Sequence, residues 1–540
     1  MSNSLQDGQG VVSRGGDKPW RWLASGAAGS SILERAESLL GGGGGRSSLG
    51  RSKIREVAWV ELPGLEPVVL KRYLPMGLGK ALWMRLRGSQ WRREWRISQR
   101  LGEMGVLAPR PLLLGERLCR GVPVEGILVS QAIQDARSLT QEMQAAGPSR
   151  PPLLKDLGEY LARIHALGIL HLDLHGDNVL VGRAGQGGPV FWLLDLHRVR
   201  VGRRLSKAER RWNLAQILLS MRRELCPGED RVLLEAYLKA SGLEAPSGSW
   251  LDSIGRTQRR MLRKHQRSRT RRCLKDSSGF AVEVIPGGRV IRRREFPMEA
   301  VLRVMEQANQ ALDSSDPRVL KVSGPTRITR CTVEVGGLPT DLCIKEHGSS
   351  RPMGSLLGLL VPSRARRFWV GAWGMIVRGF SVPAPMAIWE TTRRGALCSG
   401  VVMEMVEEGV RLDRFLASTC SDVHGMRQLM KALASTLARM HAHGIFHRDL
   451  KATNVMVRPT GRGDEILFLD LEDVSFCRKV ARPKVALNLA QLDASMPECV
   501  GRLSRLRFLR MYLGKGCSRE SLRRLSREVG WLSQKRRAGG

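Results

Sequence analysis

The sequence predicts an α+β protein of two tandem domains of one design, each opening with short strands and continuing as helices. Two observations carry this expectation. First, the segment LGEYLARIHALGILHLDLHGDNVL (Leu157–Leu180) lines up with LASTLARMHAHGIFHRDLKATNVM (Leu433–Met456), and further pairs follow in the same order. VVLKRY around Lys71 matches LCIKEH around Lys345, WLLDL around Asp195 matches LFLDL around Asp470, and NLAQ at Asn213–Gln216 recurs at Asn488–Gln491. A spacing of about 275 residues is far too long for a solenoid unit, so two homologous domains are the economical explanation. Second, the cationic, helix-compatible stretch Gly255–Lys275 gives way after Asp276–Gly279 to the strand-like FAVEVIPGGRVIRRREF, with a Pro-Gly-Gly turn between two β-rich runs.

In chain order, residues 1–50 read as a flexible Gly/Ser-rich tail that ends in the run Gly41–Gly45, with one short helix near Ile32–Leu40. Residues 51–275 form the first domain. In it a β-run carries Lys71, a helical stretch carries Glu94, and a further helix leads into a polar loop, His171–Asn178. An apolar strand then ends near Asp195, and helices follow. Residues 276–540 form the second domain and repeat that order.

Composition bounds the function. Hydrophobic residues at 42% and charged residues at 26% exclude a mostly disordered or collagenous chain. Lys+Arg number 88 against 51 Asp+Glu, a formal net charge of +37, which favours anionic partners: nucleic acid, an anionic membrane face or phosphorylated substrates. Arginine richness also follows from genomic base composition, and no aromatic-interleaved motif accompanies the charge, which argues against nucleic acid. The most apolar region, Ser355–Phe380, is interrupted by Arg364, Arg366, Arg367 and Arg378, so no spanning helix is expected. No apolar h-region follows a basic start, so no secretory signal is expected. The cysteines are scattered without a C-x-x-C pair, which speaks against a zinc knuckle and for reduced thiols in a cytosol.

Each half repeats one polar set. The first has Lys71, Glu94, His171, Asp173, Asn178 and Asp195; the second has Lys345, His447, Asp449, Asn454 and Asp470. A lysine inside an apolar strand can pair with phosphate oxygens. An Asp and an Asn close together in one loop can position a hydroxyl nucleophile and a cation, and a later Asp can hold Mg²⁺ against nucleotide phosphates. That inventory suits phosphoryl transfer, in which catalysis is mostly positioning and charge neutralisation.

HLDLHGDN (His171–Asn178) and HRDLKATN (His447–Asn454) both meet the H-x-D-L-x-x-x-N pattern, and through it each half resembles the protein-kinase-like fold. The resemblance implies two tandem bilobal domains, each with a β-rich N-lobe and a helical C-lobe. Neither the stretch from Asp195 to Asn213 nor that from Asp470 to Asn488 contains A-P-E or leaves room for a peptide-docking segment. Such short segments belong to kinases of small molecules and sugars. LDLHRVR, the arginine-rich run before CLKDSSGFAVE, and RREW followed by LAPRP resemble the lipopolysaccharide inner-core kinases that phosphorylate Kdo or heptose. The second half echoes them with SRARRFW and VPAP.

That family resemblance implies ATP and Mg²⁺, and an acceptor hydroxyl on lipopolysaccharide or another anionic glycolipid. It also implies a cytoplasmic location, peripheral on the inner face of a Gram-negative inner membrane. By resemblance, Asp173 and Asp449 orient the acceptor hydroxyl and accept its proton, Asn178 with Asp195 and Asn454 with Asp470 hold Mg²⁺, and Lys71 and Lys345 grip the nucleotide phosphates, with Glu94 pairing Lys71. His171 and His447 support the loops. His175 is similar to sugar and aminoglycoside kinases, whereas Lys451 is similar to protein kinases, where it touches the transferring phosphate. The candidate phosphate loops, Gly50–Lys53 and Ser323–Thr326, lack G-x-G-x-x-G. Aligning APRP with VPAP sets Phe368 opposite Glu94, so the second half is expected to lack the carboxylate partner of its lysine. Both halves are expected to bind nucleotide and the first to catalyse. A kinase of another small acceptor, an atypical Ser/Thr kinase, and a pseudokinase pair that acts as a scaffold remain the alternatives.

Overall fold

The computed structural model describes residues 20–36, 45–51, 55–75, 88–119, 121–147, 150–183, 188–244, 246–310, 316–348, 361–393, 396–419, 422–461, 463–514 and 516–538. The chain divides into two compact units between Met261 and Leu262.

The first unit opens with β1 (Trp20–Ala24), α1 (Gly26–Leu33), β2 (Gly45–Arg51), β3 (Arg55–Glu61), β4 (Val68–Tyr73), α2 (Gln90–Glu103), β5 (Pro111–Cys119) and β6 (Val122–Gln131). The strands form one antiparallel sheet in the order β1-β5-β6-β4-β3-β2. Side chains alternate across a strand, so β4 has two characters. Val68 and Leu70 pack with Ile32, Val60, Leu113 and Val129 on one face. Tyr73 joins Trp91, Trp95, Leu114 and Leu128 on the other, and Lys71, two residues before Tyr73, shares that face. The α2 helix starts at Ser89, whose hydroxyl accepts a hydrogen bond from the Arg92 N–H. Its buried residues Trp91, Glu94, Trp95, Ser98 and Leu101 keep helical spacing, which carries Glu94 to the sheet-facing side.

Helical structure follows: α3 (Leu139–Ala145), α4 (Arg150–Ala166), the hairpin β7 (Val179–Arg183) and β8 (Pro189–Leu193), α5 (Lys207–Ser220), α6 (Glu229–Ala240) and α7 (Ser247–Arg272). Leu154, Leu157, Leu161, Leu214, Leu218 and Leu234 build the core of this part. The His171–Asn178 loop lies between α4 and β7.

The second unit comprises β9 (Phe280–Ile285), β10 (Gly288–Arg293), α8 (Met298–Asn309), β11 (Val319–Ser323), β12 (Thr326–Val335), β13 (Leu338–His347), α9 (Arg364–Val377), β14 (Pro385–Arg393) and β15 (Ala396–Glu404). Its antiparallel sheet runs β9-β10-β14-β15-β13-β12-β11. Leu342, Ile344, Ala387 and Val402 pack with α8, while Phe368 and Trp369 of α9 share the other core with Ile388 and Val401. Then come α10 (Leu412–Ser418), α11 (Val423–Ala442), the hairpin β16 (Val455–Thr460) and β17 (Gly463–Phe468), α12 (Arg482–Ser495), α13 (Arg502–Leu513) and α14 (Arg519–Ala538). No helix among the described residues is long and apolar enough to cross a membrane.

Four expectations change. The tail expected to be flexible over residues 1–50 contains β1 and α1: Trp20–Ala24 pairs with Leu113–Arg117, and Trp22 and Ile32 are buried. A helix spans Gly26–Leu33, overlapping the expected short helix at Ile32 and Leu33, and residues 37–40 of that expectation lie outside the described residues. An edge strand gains its partner from β5, far along the chain, which local composition does not reveal. The division between units falls inside α7, ahead of the junction expected at 276. Trp250 and Ile254 belong to the core of the first unit, whereas Cys273 belongs to that of the second, its carbonyl accepting a hydrogen bond from the Trp369 indole at 2.9 Å. Among the described residues eight cysteines are free, but Cys499 is disulfide-bonded, an exception to the expected reduced thiols. Chain folding brings sulfurs together irrespective of sequence spacing.

Indole rings lie directly over strand glycines: Trp22 over Gly115, Trp91 over Gly126 and Trp389 over Gly400. A Cβ at any of these glycines would collide with the ring. Gly126→Ala is therefore expected to destabilise the chain by about 1–3 kcal/mol through overpacking. Chemical denaturation measures this, and a change within about 0.5 kcal/mol, the range of an ordinary surface substitution, would contradict it.

Candidate active site

The site of the first unit begins with a partly buried lysine. Lys71 donates from β4 to Glu94 of α2, and its Nζ lies 3.7 Å from Asp195 Oδ1. Tyr73, on the same strand face, donates its hydroxyl to the other Glu94 oxygen at 3.1 Å. Arg55 of β3 donates to Asp195 at 2.7 Å. Burial opposes the charge on Asp195, but Lys71 and Arg55 outweigh it and hold the carboxyl at about 2. His197, two residues on, sits 3.7 Å from Asp195 and 4.0 Å from Glu94.

The His171–Asn178 loop is fixed by backbone-directed bonds. His171 donates from Nε2 to the Leu194 carbonyl at 2.8 Å and accepts the Asp173 N–H at Nδ1, 3.1 Å away. Both ring nitrogens are thus committed in the neutral tautomer, and burial lowers the pKa of the ring. Asn178 donates to the Asp173 carbonyl at 2.9 Å, and the Leu194 N–H donates to the Asn178 carbonyl at 2.9 Å. These bonds tie the loop to the strand end that presents Asp195. Asp195 takes a left-handed backbone (φ 56°, ψ 46°), a conformation that Asp adopts more readily than most residues. The Asp173 carboxylate is partly exposed and 3.0 Å from Arg198. His175 stands apart from this set, 4.0 Å from Asp177.

The second unit repeats the loop. His447 donates to the Leu469 carbonyl at 2.8 Å, Asn454 donates to the Asp449 carbonyl at 2.9 Å, and Asp470 is again left-handed (φ 53°, ψ 53°). Lys451 pairs with the Asp449 carboxylate at 2.9 Å. Behind each loop a buried histidine anchors an asparagine of the NLAQ segment. His165 meets Asn213 at 3.1 Å and His441 meets Asn488 at 3.2 Å, and the two amides donate to the His171 and His447 carbonyls.

The lysine of the second unit corrects one expectation. Lys345 does not lack a carboxylate: it pairs with Asp470, and its Nζ lies 2.6 Å from Glu472 Oε1. Burial would discharge the ammonium, but these two carboxylates outweigh it and raise its pKa. Glu472 in turn is held at about 2, against the effect of burial, by His347 and Lys345. Phe368 is a buried core residue.

The sequence singled out the lysines, loop residues and late aspartates that the structure gathers here. It missed Arg55, Tyr73, His197, Arg198, His347 and Glu472. One signal was available: Tyr73 and His347 each lie two residues beyond a lysine, and His197 and Glu472 two residues beyond an aspartate. Of the candidate phosphate loops, Ser323–Thr326 is the turn between β11 and β12, Gly50 and Arg51 end β2, and Lys53 lies outside the described residues. The donor chemistry fits Mg²⁺. Asp195 offers carboxylate oxygen, and Asn178 spends its amide nitrogen on Asp173, keeping an amide oxygen as a donor to a hard cation. Asn454 and Asp470 offer the same pair.

The fold and site are kinase-like: a paired strand lysine, an H-x-D loop with its asparagine, and a left-handed aspartate after an apolar strand. A model described as "Lipopolysaccharide kinase (Kdo/WaaP) family" matches residues 70–237 and 375–512, and the chain belongs to that family. It is 32% identical over 162 residues to a 3-deoxy-D-manno-octulosonic acid kinase of Stenotrophomonas maltophilia (strain K279a), covering 28% of this chain and 61% of that protein. It is 30% identical over 136 residues to the enzyme of the same name from Xanthomonas euvesicatoria pv. vesicatoria (strain 85-10), covering 24% of this chain and 52% of that protein. The chain thus spans between half and two thirds of the length of these curated relatives. A solved structure, "WaaP in complex with acyl carrier protein", aligns at 21% identity over 42% of this chain and 90% of that one, with a TM-score of 0.32.

Four imidazoles are buried with lowered pKa values, and burial is the leading cause in each: His165, pushed to about 4, with His171, His441 and His447. Because the folded values lie below the ordinary value of 6.5, their contribution is complete above that pH and is lost as pH falls toward 4. His165 alone accounts for about 2 kcal/mol at pH 5. Chemical-denaturation stability is expected to decline between pH 7 and pH 5, and a flat profile would contradict the neutral-imidazole assignment.

Proposed function

We propose that the chain is an ATP-dependent phosphotransferase acting on a Kdo or heptose hydroxyl of the lipopolysaccharide core. In this reading, the two units, divided between Met261 and Leu262, are tandem bilobal kinase-like domains, on the cytoplasmic side of the membrane and peripheral to its anionic face. The observation that carries the proposal is the repeated constellation of a sheet-buried lysine, an H-x-D loop and a left-handed aspartate in a member of this family.

Lys71 draws the nucleotide phosphates toward the sheet, with Glu94 holding its ammonium in place. Asn178 and Asp195 would hold Mg²⁺, and Asn454 and Asp470 would do so in the second unit. The cation supplies charge neutralisation on the phosphate oxygens. Asp173 accepts a hydrogen bond from the acceptor hydroxyl, orients it toward the terminal phosphorus and takes its proton as the new P–O bond forms and the bond from that phosphorus to the bridging oxygen breaks, releasing ADP. Arg198, paired with Asp173 at 3.0 Å, orients the carboxylate and adds positive charge beside the incoming phosphate. His171 orients the loop through its two backbone bonds and stays out of proton transfer. Asn454 likewise donates to the Asp449 carbonyl, and here its amide also reaches the Asp449 carboxylate at 3.2 Å, with Lys451 in place of Arg198 as the nearby cation.

ADP release from Mg·ATP with dephosphorylated lipopolysaccharide tests the reading. Asp173→Ala is expected to lower turnover by about 10²–10⁴-fold, the usual range for loss of a positioned acid or base. Turnover kept in Asp449→Ala would assign catalysis to the first unit. Acceptor-dependent turnover absent from the wild type would sink the lipopolysaccharide reading.

A further inference from the structure

Comparison of the two units shows an exchange of position. Glu94 and Phe368 are the fifth residues of α2 and α9, helices that begin from equivalent caps: Ser89 accepts from the Arg92 N–H, and Ser363 accepts from the Arg366 N–H. The position two residues beyond the left-handed aspartate also differs, being His197 in the first unit and Glu472 in the second. The first unit therefore has a carboxylate on the helix and an uncharged-or-cationic ring after the aspartate. In the second the helix position is apolar and buried, and the carboxylate follows the aspartate.

The surroundings follow the carboxylate. Glu94 is held by Lys71 and by Tyr73, two residues further along β4. Glu472 lies 2.6 Å from Lys345 Nζ and 3.2 Å from Nε2 of His347, two residues further along β13. Lys345, His347 and Glu472 have side chains only 10%, 3% and 13% exposed, so this is an enclosed group and not a surface ion pair. In both units the lysine also reaches the left-handed aspartate. The same triangle of lysine, second carboxylate and aspartate is thus built from two different chain positions.

We propose that Glu472 is the positioning carboxylate of Lys345, taking in the second unit the part that Glu94 takes in the first, so that Phe368 does not mark a degenerate nucleotide site. Asp470 faces two demands, the lysine and a cation, and Glu472 keeps the ammonium in place when Asp470 serves the cation. The inference rests on the reading of the second unit as a nucleotide-binding domain.

The test uses the full chain with Lys71→Ala and Asp195→Asn, which disable the nucleotide site of the first unit, and titrates it with Mg·ADP and separately with adenosine. A lysine that grips phosphates matters only to the first ligand. Adding Glu472→Gln, which keeps shape and removes charge, is expected to weaken Mg·ADP about tenfold or more and to leave adenosine unchanged. Glu472→Asp, which keeps the charge, should retain part of the affinity. Unchanged Mg·ADP affinity in Glu472→Gln, or an equal loss for both ligands, would overturn the inference alone. Failure of the chain with intact Glu472 to bind Mg·ADP would overturn the nucleotide-binding reading and the inference with it.

Discussion

An ammonium buried on the inner face of a sheet has to be paired, and the rest of each unit is arranged to pair it. Removing a lysine charge from water costs several kcal/mol unless opposite charge and hydrogen bonds replace the lost hydration. Lys71 and Lys345 are placed on that face by the alternation of β4 and β13, so carboxylates must come to them. The inward stripe of α2 delivers Glu94, and the left-handed turns deliver Asp195 and Asp470. Those turns are in turn held by His171 and His447, whose imidazoles bond the carbonyl just before each aspartate. A charge placed by one strand thereby sets the entry of a helix, the backbone of a loop and the protonation of a histidine.

The two units satisfy this constraint with different residues. In the first, the carboxylate rides on a helix, and any shift of α2 along the sheet would withdraw it. In the second, both carboxylates come from one short turn, Asp470 and Glu472, so α9 is released from electrostatic duty and packs as an apolar element around Phe368 and Trp369. A helix relieved of a buried acid can carry Ala365, Ala372 and Met375 on the same face, and it does.

Much of this was legible in the sequence, for a physical reason. The H-x-D loops, the strand lysines and the late aspartates recur in order because their spacing along the chain is fixed by local geometry, and local geometry leaves a pattern. Two kinds of feature left none. The strand Trp20–Ala24 lies in glycine-rich sequence and exists as a strand only because β5 offers it an edge. Glu472 looked like one more acid in LDLEDVS, because the face to which a residue of a short 3₁₀ turn points is decided by the turn and not by any periodicity. Phe368 was readable as a missing acid at one alignment position, yet the charge balance of the site could be read only in three dimensions.

The stacking of Trp91 on Gly126, Trp22 on Gly115 and Trp389 on Gly400 has a consequence for how such a chain can diverge. A side chain added at the glycine meets the ring, and a smaller residue in place of the ring leaves a void above the strand. Neither single step is neutral, although the double replacement can refill the same volume. Each pair is therefore locked by the order of substitution: drift through these sheets has to pass around the indoles and not through them.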